Sequence, residues 1–170
     1  MKTITQARLK EVLVYSAADG TFTWRSEART GKHAAFVLHR AGDVVSNAGH
    51  PYPRVTIDGE RHYLHRLAWL YMKGQWPNEE IDHLDGDKTN ARWKNLRVAT
   101  SLINKQNARK PRSDNKSGHL GVSWDSERKK WTARIKVDGK YKGLGRFADV
   151  EMAAKAYINA KRQLHAGCTI

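Results

Sequence analysis

A carboxylate and an imidazole stand side by side at Asp82-His83. They open the run Asp82-His-Leu-Asp-Gly-Asp-Lys-Thr-Asn90, which is followed by Trp93-Lys-Asn-Leu96, Val98-Ala-Thr100 and Asn104. A histidine accepts a proton near neutral pH without first carrying a charge. Carboxylate and carboxamide oxygens suit hard divalent cations. Phosphodiester hydrolysis calls on both, because it needs an activated water, a Lewis acid on the phosphate and leaving oxygen, and a rigid frame for the two. Taken alone, an acid-histidine pair at a strand end is more often structural than catalytic, so its surroundings decide. Asp85-Gly86-Asp87 is not read as a calcium loop, since the twelve-residue pattern ending in glutamate is absent. Asp85-Gly86 is expected to form a turn, with Asp85, Asp87 and Asn90 satisfying loop amides. His62 and His65 compete as site histidines, but on a helical stripe they read first as packing or capping residues, with Arg66 beside them.

The elements that must hold these residues are legible on either side. Thr21 to Arg25, after Asp19-Gly20, alternates like a strand beyond a turn. Arg54–Ile57 and Arg61–Leu64 flank Asp58-Gly59 as a hairpin around a type I′ turn. From His62 to Lys73, Leu64, Leu67, Ala68 and Tyr71 share one helical face, and Gly74 stops the helix. Ile81 leads a short strand into the polar loop, Asn95 to Ala99 returns, and Thr100 or Ser101 caps a short helix carrying Asn104 and Asn107. The fold class is therefore α+β.

The composition points to the partner. In 170 residues there are 31 Lys and Arg against 17 Asp and Glu, a net charge of +14. Such a balance calls for a polyanion, nucleic acid being the usual one, because neutralised phosphates release counterions. Residues from Lys105 onward hold 16 of the basic residues and 6 of the acidic ones, about +10 of the total. A single cysteine, Cys168, excludes an intrachain disulfide and any zinc site built on paired cysteines, so no structural zinc is expected. No stretch is apolar enough to span a bilayer, and the N-terminal run lacks a signal-peptide core, so an intracellular, cytoplasmic protein without a membrane partner is expected. Residues 108–118, basic with Pro and Gly, read as a linker between modules at 1–107 and 119–167.

In the second module Trp131, Ala133, Ile135 and Val137 alternate with Thr132, Arg134 and Lys136. Asp138-Gly139 is a strong two-residue hairpin signal, with Lys140 to Phe147 returning. That register sets Lys136 opposite Tyr141 and Arg134 opposite Gly143. It also sends Lys140 and Lys142 toward the apolar side, where they snorkel at the edge or a bulge intervenes. Asp149 caps a helix with Ala153, Tyr157, Ala160 and Leu164 on its apolar stripe. A three-stranded antiparallel sheet packed on one helix is the economical solution.

The set Asp82-His83, Asn95-Leu96, Thr100 and Asn104 resembles the HNH endonucleases of the ββα-metal superfamily, in particular the phage and intron homing branch. The likeness runs from about Leu9 to Asn107 and includes Asp19-Gly-Thr-Phe-Thr-Trp24 and His65-Arg-Leu-Ala-Trp69. It implies that His83 is the general base, that Asn95 orients it, and that Asp82 and Asn104 hold one divalent metal ion, Mg²⁺ or Mn²⁺. The position of the motif's final histidine is Asn104 here, a substitution that the homing branch tolerates. Ser117-Gly-His-Leu-Gly-Val-Ser-Trp124, Lys130 to Lys136, Leu144-Gly-Arg-Phe147 and the Glu151 to Tyr157 pattern are similar to an AP2 DNA-binding domain. That resemblance implies a sheet lying in the major groove of double-stranded DNA with the helix behind it. Thr132, Arg134, Lys136 and Tyr141 would supply contacts from the polar face, and Arg128 and Lys129 phosphate contacts from the preceding turn. Trp124 and Trp131 are assigned mainly to packing, Trp124 also being considered for the DNA surface. The expectation is a metal-dependent, homing-type nicking endonuclease, favoured as a monomer and working in a phage-infected or prophage-bearing host. The rival is a sequence-specific DNA-binding regulator with a degenerate HNH module. A basic RNA-binding protein would not need the acid-histidine pair.

Overall fold

A computed structural model describes residues 4–30, 37–45 and 51–170. The chain divides into two units, Met1–Ala99 and Thr100–Ile170. In the first, the Thr5 hydroxyl accepts the Arg8 amide at 3.2 Å and opens helix α1, Gln6–Val12. Strands β1, Leu13–Ser16, and β2, Thr21–Trp24, pair antiparallel, with Tyr15 opposite Phe22. Strand β3, Ala28–Thr30, pairs with β4, Val37–His39. Strand β5, Arg54–Ile57, pairs with β6, Glu60–Tyr63, across Asp58 and Gly59, whose φ values of 51° and 81° are those of the expected type I′ turn. Helix α2, Leu64–Lys73, then ends at Gly74 in the left-handed conformation. Leu64 begins the helix rather than closing the strand, its amide donating to the Pro53 carbonyl at 2.9 Å. Finally β7, Glu80–His83, pairs antiparallel with β8, Leu96–Ala99, which follows a single 3-10 turn at Trp93–Asn95.

One apolar cluster joins these pieces. Leu9, Leu13, Phe22, Leu67 and Leu70 are fully buried in it, and Ile81 and Leu96 tie the β7–β8 ribbon to it. The β1–β2 hairpin also grips the chain just before the ribbon returns. The Tyr15 hydroxyl donates to the Ala91 carbonyl at 2.6 Å, and the Trp93 amide donates to the Ala17 carbonyl at 3.0 Å. Gly20 is required at this junction: a Cβ there would sit 2.3 Å from the Arg92 nitrogen. The N-terminal hairpin thus fixes where the loop after His83 comes back.

In the second unit the Thr100 hydroxyl accepts the Ile103 amide and caps α3, Ser101–Gln106. Strands β9, Val122–Asp125, β10, Lys130–Val137, and β11, Lys140–Phe147, form one antiparallel sheet in the order β11-β10-β9. Asp149 caps α4, Val150–Leu164, accepting the Met152 amide at 2.9 Å. Ala153 packs on Val122 and Ala133, with Trp131, Leu144 and Phe147 around them. Gly121 lets the helix approach, because a Cβ there would lie 2.1 Å from the Tyr157 ring. The helix stripe departs from expectation at its end. Leu164 is 36% exposed, while Lys161 is 1% exposed and its ammonium donates to the Ala108 carbonyl. With Gly167 donating to the Gln106 side chain at 3.0 Å and Arg109 to Thr169 at 2.8 Å, the residues flanking α3 are knitted to the C-terminal end. The residues read as a linker are partly ordered: Asn115 Oδ1 accepts the amides of Ser117 and Gly118 at 2.9 and 3.0 Å.

Candidate nuclease site and nucleic-acid interface

Asp82 and His83 close strand β7, each 4% exposed. The β7–β8 register gives them different neighbours: Asp82 stands opposite Arg97, and His83 opposite Leu96. Asp82 accepts from Arg97 through one oxygen, Oδ2, with Nε at 2.9 Å and Nη2 at 2.8 Å. No motif in the sequence singles out Arg97, although a hairpin closing at Leu84 and Asn95 puts it there by counting.

His83 sits against aromatic rings. The His65 ring is 5.1 Å away, centre to centre, and the Tyr52 ring 6.4 Å. Tyr52 and Tyr63 each lie 5.6 Å from His65, and the Lys88 ammonium caps Tyr52 at 4.6 Å. Burial pushes the His83 imidazole below the usual histidine range, against the pull of Asp85, Asp82 and Asp87. His65 is pushed down to about 3, by burial first and then by His83 and Arg66. His65, read in the sequence mainly as a packing residue, is therefore a wall of the His83 pocket. Nothing local marks that role, which depends on where α2 meets β7.

The loop after His83 is held by its own side chains, as expected. Asp85 Oδ1 accepts the Asp87 amide at 2.8 Å, Asp87 Oδ1 accepts the Thr89 amide at 2.9 Å, and Asn90 Oδ1 accepts the Arg92 amide at 3.2 Å. Burial works to raise the Asp85 pKa, but the Asp87 amide and the carboxamides of Asn90 and Asn95 hold it below the ordinary carboxylate range. Asn95 completes this staple. Its Nδ2 donates to Asp85 Oδ1 at 2.9 Å and to the Asn90 carbonyl at 2.8 Å, while its Oδ1 accepts the Asp85 amide at 3.0 Å. The carboxamide is thus spent on the loop, and any influence on His83 passes through Leu84 and Asp85. Asn104 lies on α3, in the second unit.

A divalent cation fits the chemistry of Asp82, a buried hard-oxygen donor whose present counter-charge is a side chain. Among the described residues no three His, Cys, Asp or Glu side chains cluster around a common point. Water and phosphate oxygens would fill most of the coordination shell, which is the habit of Mg²⁺-like ions.

In the sheet of the second unit, Lys136 pairs with Tyr141 and Arg134 with Gly143, as the turn required. Tyr141, 67% exposed, lies between the two cations: the Arg134 guanidinium is 4.9 Å from its ring and the Lys136 ammonium 5.7 Å. Thr132 shares a 3.0 Å hydrogen bond with the Ser123 hydroxyl on the same face. Both Lys140, opposite Val137, and Lys142, opposite Ile135, remain exposed, and a bulge follows. The register steps between Ala133 and Arg134, so Ala133 faces Gly145 and Leu144 is the extra residue. Gly145 takes φ 129° there. The step turns Phe147 inward opposite Trp131 and puts Arg146 opposite Thr132, on the polar face. Arg146 is a candidate that strict alternation in the sequence does not reveal. Its Nε is 3.6 Å from Asp125 Oδ2, an oxygen that also lies 3.6 Å from Arg128 Nη1. Arg128 further pairs with Glu127 at 2.9 Å. Trp124 stands opposite Trp131, on the side of the sheet that carries Val122, and keeps half of its surface exposed.

The HNH endonuclease family pattern matches residues 62–106, and the AP2 domain pattern matches residues 117–167. The chain is 34% identical over 102 residues to Protein 3.8 of Escherichia phage T7, a stretch covering 59% of this chain and 83% of that protein. No solved structure matches the chain.

Proposed function

The chain belongs to the HNH endonuclease family and carries an AP2 DNA-binding domain after the HNH region, and from that premise we propose that it is a DNA endonuclease working with one divalent metal ion. The observation that carries the reading is the environment of the Asp82-His83 pair, one buried carboxylate facing a guanidinium beside one buried imidazole held neutral. His83 takes the proton from the attacking water, a task open only to the neutral ring. The aromatic wall of His65 and Tyr52 excludes competing solvent and fixes the ring plane. Asn95 is a positioning residue that fixes the loop leaving His83. Asp82 would hold the cation, Mg²⁺ or Mn²⁺, and the family resemblance gives Asn104 as its second ligand. A divalent cation bound there supplies Lewis acidity toward the phosphate and the leaving oxygen.

The AP2 sheet delivers the nuclease to duplex DNA through Arg128, Thr132, Arg134, Lys136, Tyr141 and Arg146. The functional modules are residues 1–107 and 119–167. One HNH site per chain favours nicking by a monomer, and the phage relative favours a setting in an infected or prophage-bearing bacterium. The competing reading is a DNA-binding regulator without catalysis, and one observation favours it: Arg97 already satisfies Asp82. Supercoiled plasmid with Mg²⁺ or Mn²⁺ separates the two. The nuclease produces open circles, and His83→Ala abolishes them while gel-shift affinity persists. A wild-type chain that binds a selected duplex yet never cuts it with either ion is the regulator.

A further inference from the structure

One polar contact at the site has no part in the proposed chemistry. Arg97 stands directly across the ribbon from Asp82, and both Nε and Nη2 approach the same carboxylate oxygen, at 2.9 and 2.8 Å. Asp82 is 4% exposed, whereas the Arg97 side chain is 28% exposed. A carboxylate so buried requires a counter-charge, and stranding it without one is strongly unfavourable. The chain supplies that charge from the opposite strand. A divalent cation needs the same carboxylate for the same reason. It cannot stand against a guanidinium of like sign without a repulsion that the scarcity of water strengthens.

We propose that Arg97 is the resident counter-cation of Asp82 and competes with the divalent ion for it, so that metal enters as the guanidinium swings out. The inference rests on the reading of Asp82 as a metal ligand. The difference in exposure gives the direction of the exchange: the guanidinium is the partner nearer solvent, 28% exposed against 5% for the carboxylate side chain. Once released, a guanidinium is well matched to a DNA phosphate, which it can grip through two parallel donors. The same residue then serves the apo protein as a counter-ion and the DNA-bound protein as a phosphate contact.

The test is Mn²⁺ binding to the full chain without DNA, followed by electron paramagnetic resonance of the free ion. Arg97→Met keeps the stem and removes the charge, and its Mn²⁺ affinity is expected to be tighter by on the order of tenfold. Arg97→Lys, which keeps the charge, stays within about threefold of wild type. A second readout uses the wild-type chain alone. The Arg97 Nε–Hε signal in ¹⁵N spectra shifts with added Mg²⁺ and exchanges faster with solvent as the pair opens. An Arg97→Met affinity equal to or weaker than wild type overturns the proposal, including the case where neither binds measurably. Should that variant fail to fold, an Nε–Hε signal that stays fixed while Mn²⁺ binds wild type overturns it equally. Asp82→Asn separates this failure from that of the parent reading: if Mn²⁺ still binds that variant as it binds wild type, Asp82 is not the ligand.

Discussion

Lowering the pH from 7.5 to 5.0 tests the buried histidines directly, and His65 gives the magnitude. Its imidazole is 8% exposed and its pKa is pushed down to about 3, against about 6.5 for an unfolded histidine. Above pH 6.5 both states leave the ring neutral, and the fold bears no penalty from it. Below that value the unfolded chain takes up a proton that the folded chain refuses, so stability is lost as the pH falls from about 6.5 toward 3. At about 1.4 kcal/mol per pH unit, the step from pH 7.5 to 5.0 removes about 2 kcal/mol through this one group. His62 and His83 are also pushed down by burial, so they act in the same direction.

The assay is urea denaturation of the full chain at the two pH values, read by near-ultraviolet circular dichroism. Trp24, Trp69, Trp76 and Trp93 report on the first unit, and resolved transitions are fitted separately because the chain has two units. His65→Phe keeps the ring volume and removes the titrating group. Its cost at pH 7.5 stays within about 1.5 kcal/mol, since His65 Nδ1 has no hydrogen-bond partner among the described residues. The pH-dependent loss of stability should shrink by about 2 kcal/mol in the variant. An undiminished loss refutes the claim that His65 is held neutral by the wall around His83.

The other predictions concern the loop and the sheet. Asn95→Ala removes three hydrogen bonds from the loop and loosens it by about 2 kcal/mol, visible as faster hydrogen exchange at the Asp85 and Asp87 amides. Cleavage should fall while duplex affinity holds; unchanged exchange rates would deny the staple. Replacing both Arg134 and Lys136 by Ala weakens duplex binding and flattens its salt dependence by about one unit for each phosphate that is no longer neutralised. Fluorescence anisotropy at several salt concentrations measures it, and an unaltered slope removes this face from the interface. Arg146→Ala weakens duplex binding in the same way, whereas deletion of Leu144 leaves Arg146 opposite Thr132 and Phe147 opposite Trp131, so it keeps the contact and lowers the melting temperature through the lost core side chain. If Arg146→Ala binds as wild type, the bulge serves packing alone.

Much of this is legible in the residues themselves. Asp138-Gly139 dictates a two-residue turn, and the pairings Lys136–Tyr141 and Arg134–Gly143 follow from it by counting. The bulge does not follow, although its cause is written in the strand. Leu144 and Phe147 are both apolar and three residues apart, so strict alternation would send one of them to the polar face. Only an extra residue brings both onto the core, and glycine at 145 accepts the φ of 129° that this demands. The polar loop is legible because Asp and Asn side chains bond backbone two residues on, a local effect. The pocket of His83 is not, because Tyr52 and His65 reach it only through the packing of α2 and the approach of separate segments. Asn95 lies between these cases: its place is evident, but its bonding to the loop rather than to the imidazole depends on the loop's closed form.

Adjacent aspartate and histidine would ordinarily settle as an ion pair, and such a pair would be useless for hydrolysis. A protonated imidazole cannot accept a proton. The ribbon prevents this by giving the neighbours different company. Asp82 meets a guanidinium across the strands, which supplies its counter-charge without a proton on His83. His83 meets the rings of His65 and Tyr52, where burial outweighs three nearby carboxylates and favours the neutral form. Arg97 and the aromatic wall therefore act on one problem from two sides. Opening the wall with His65→Gln should raise the His83 pKa toward the ordinary histidine range, while Arg97 keeps Asp82 paired. Nuclear magnetic resonance titration of the His83 ring carbon measures this, and an absent shift would mean that the wall does not hold the ring neutral.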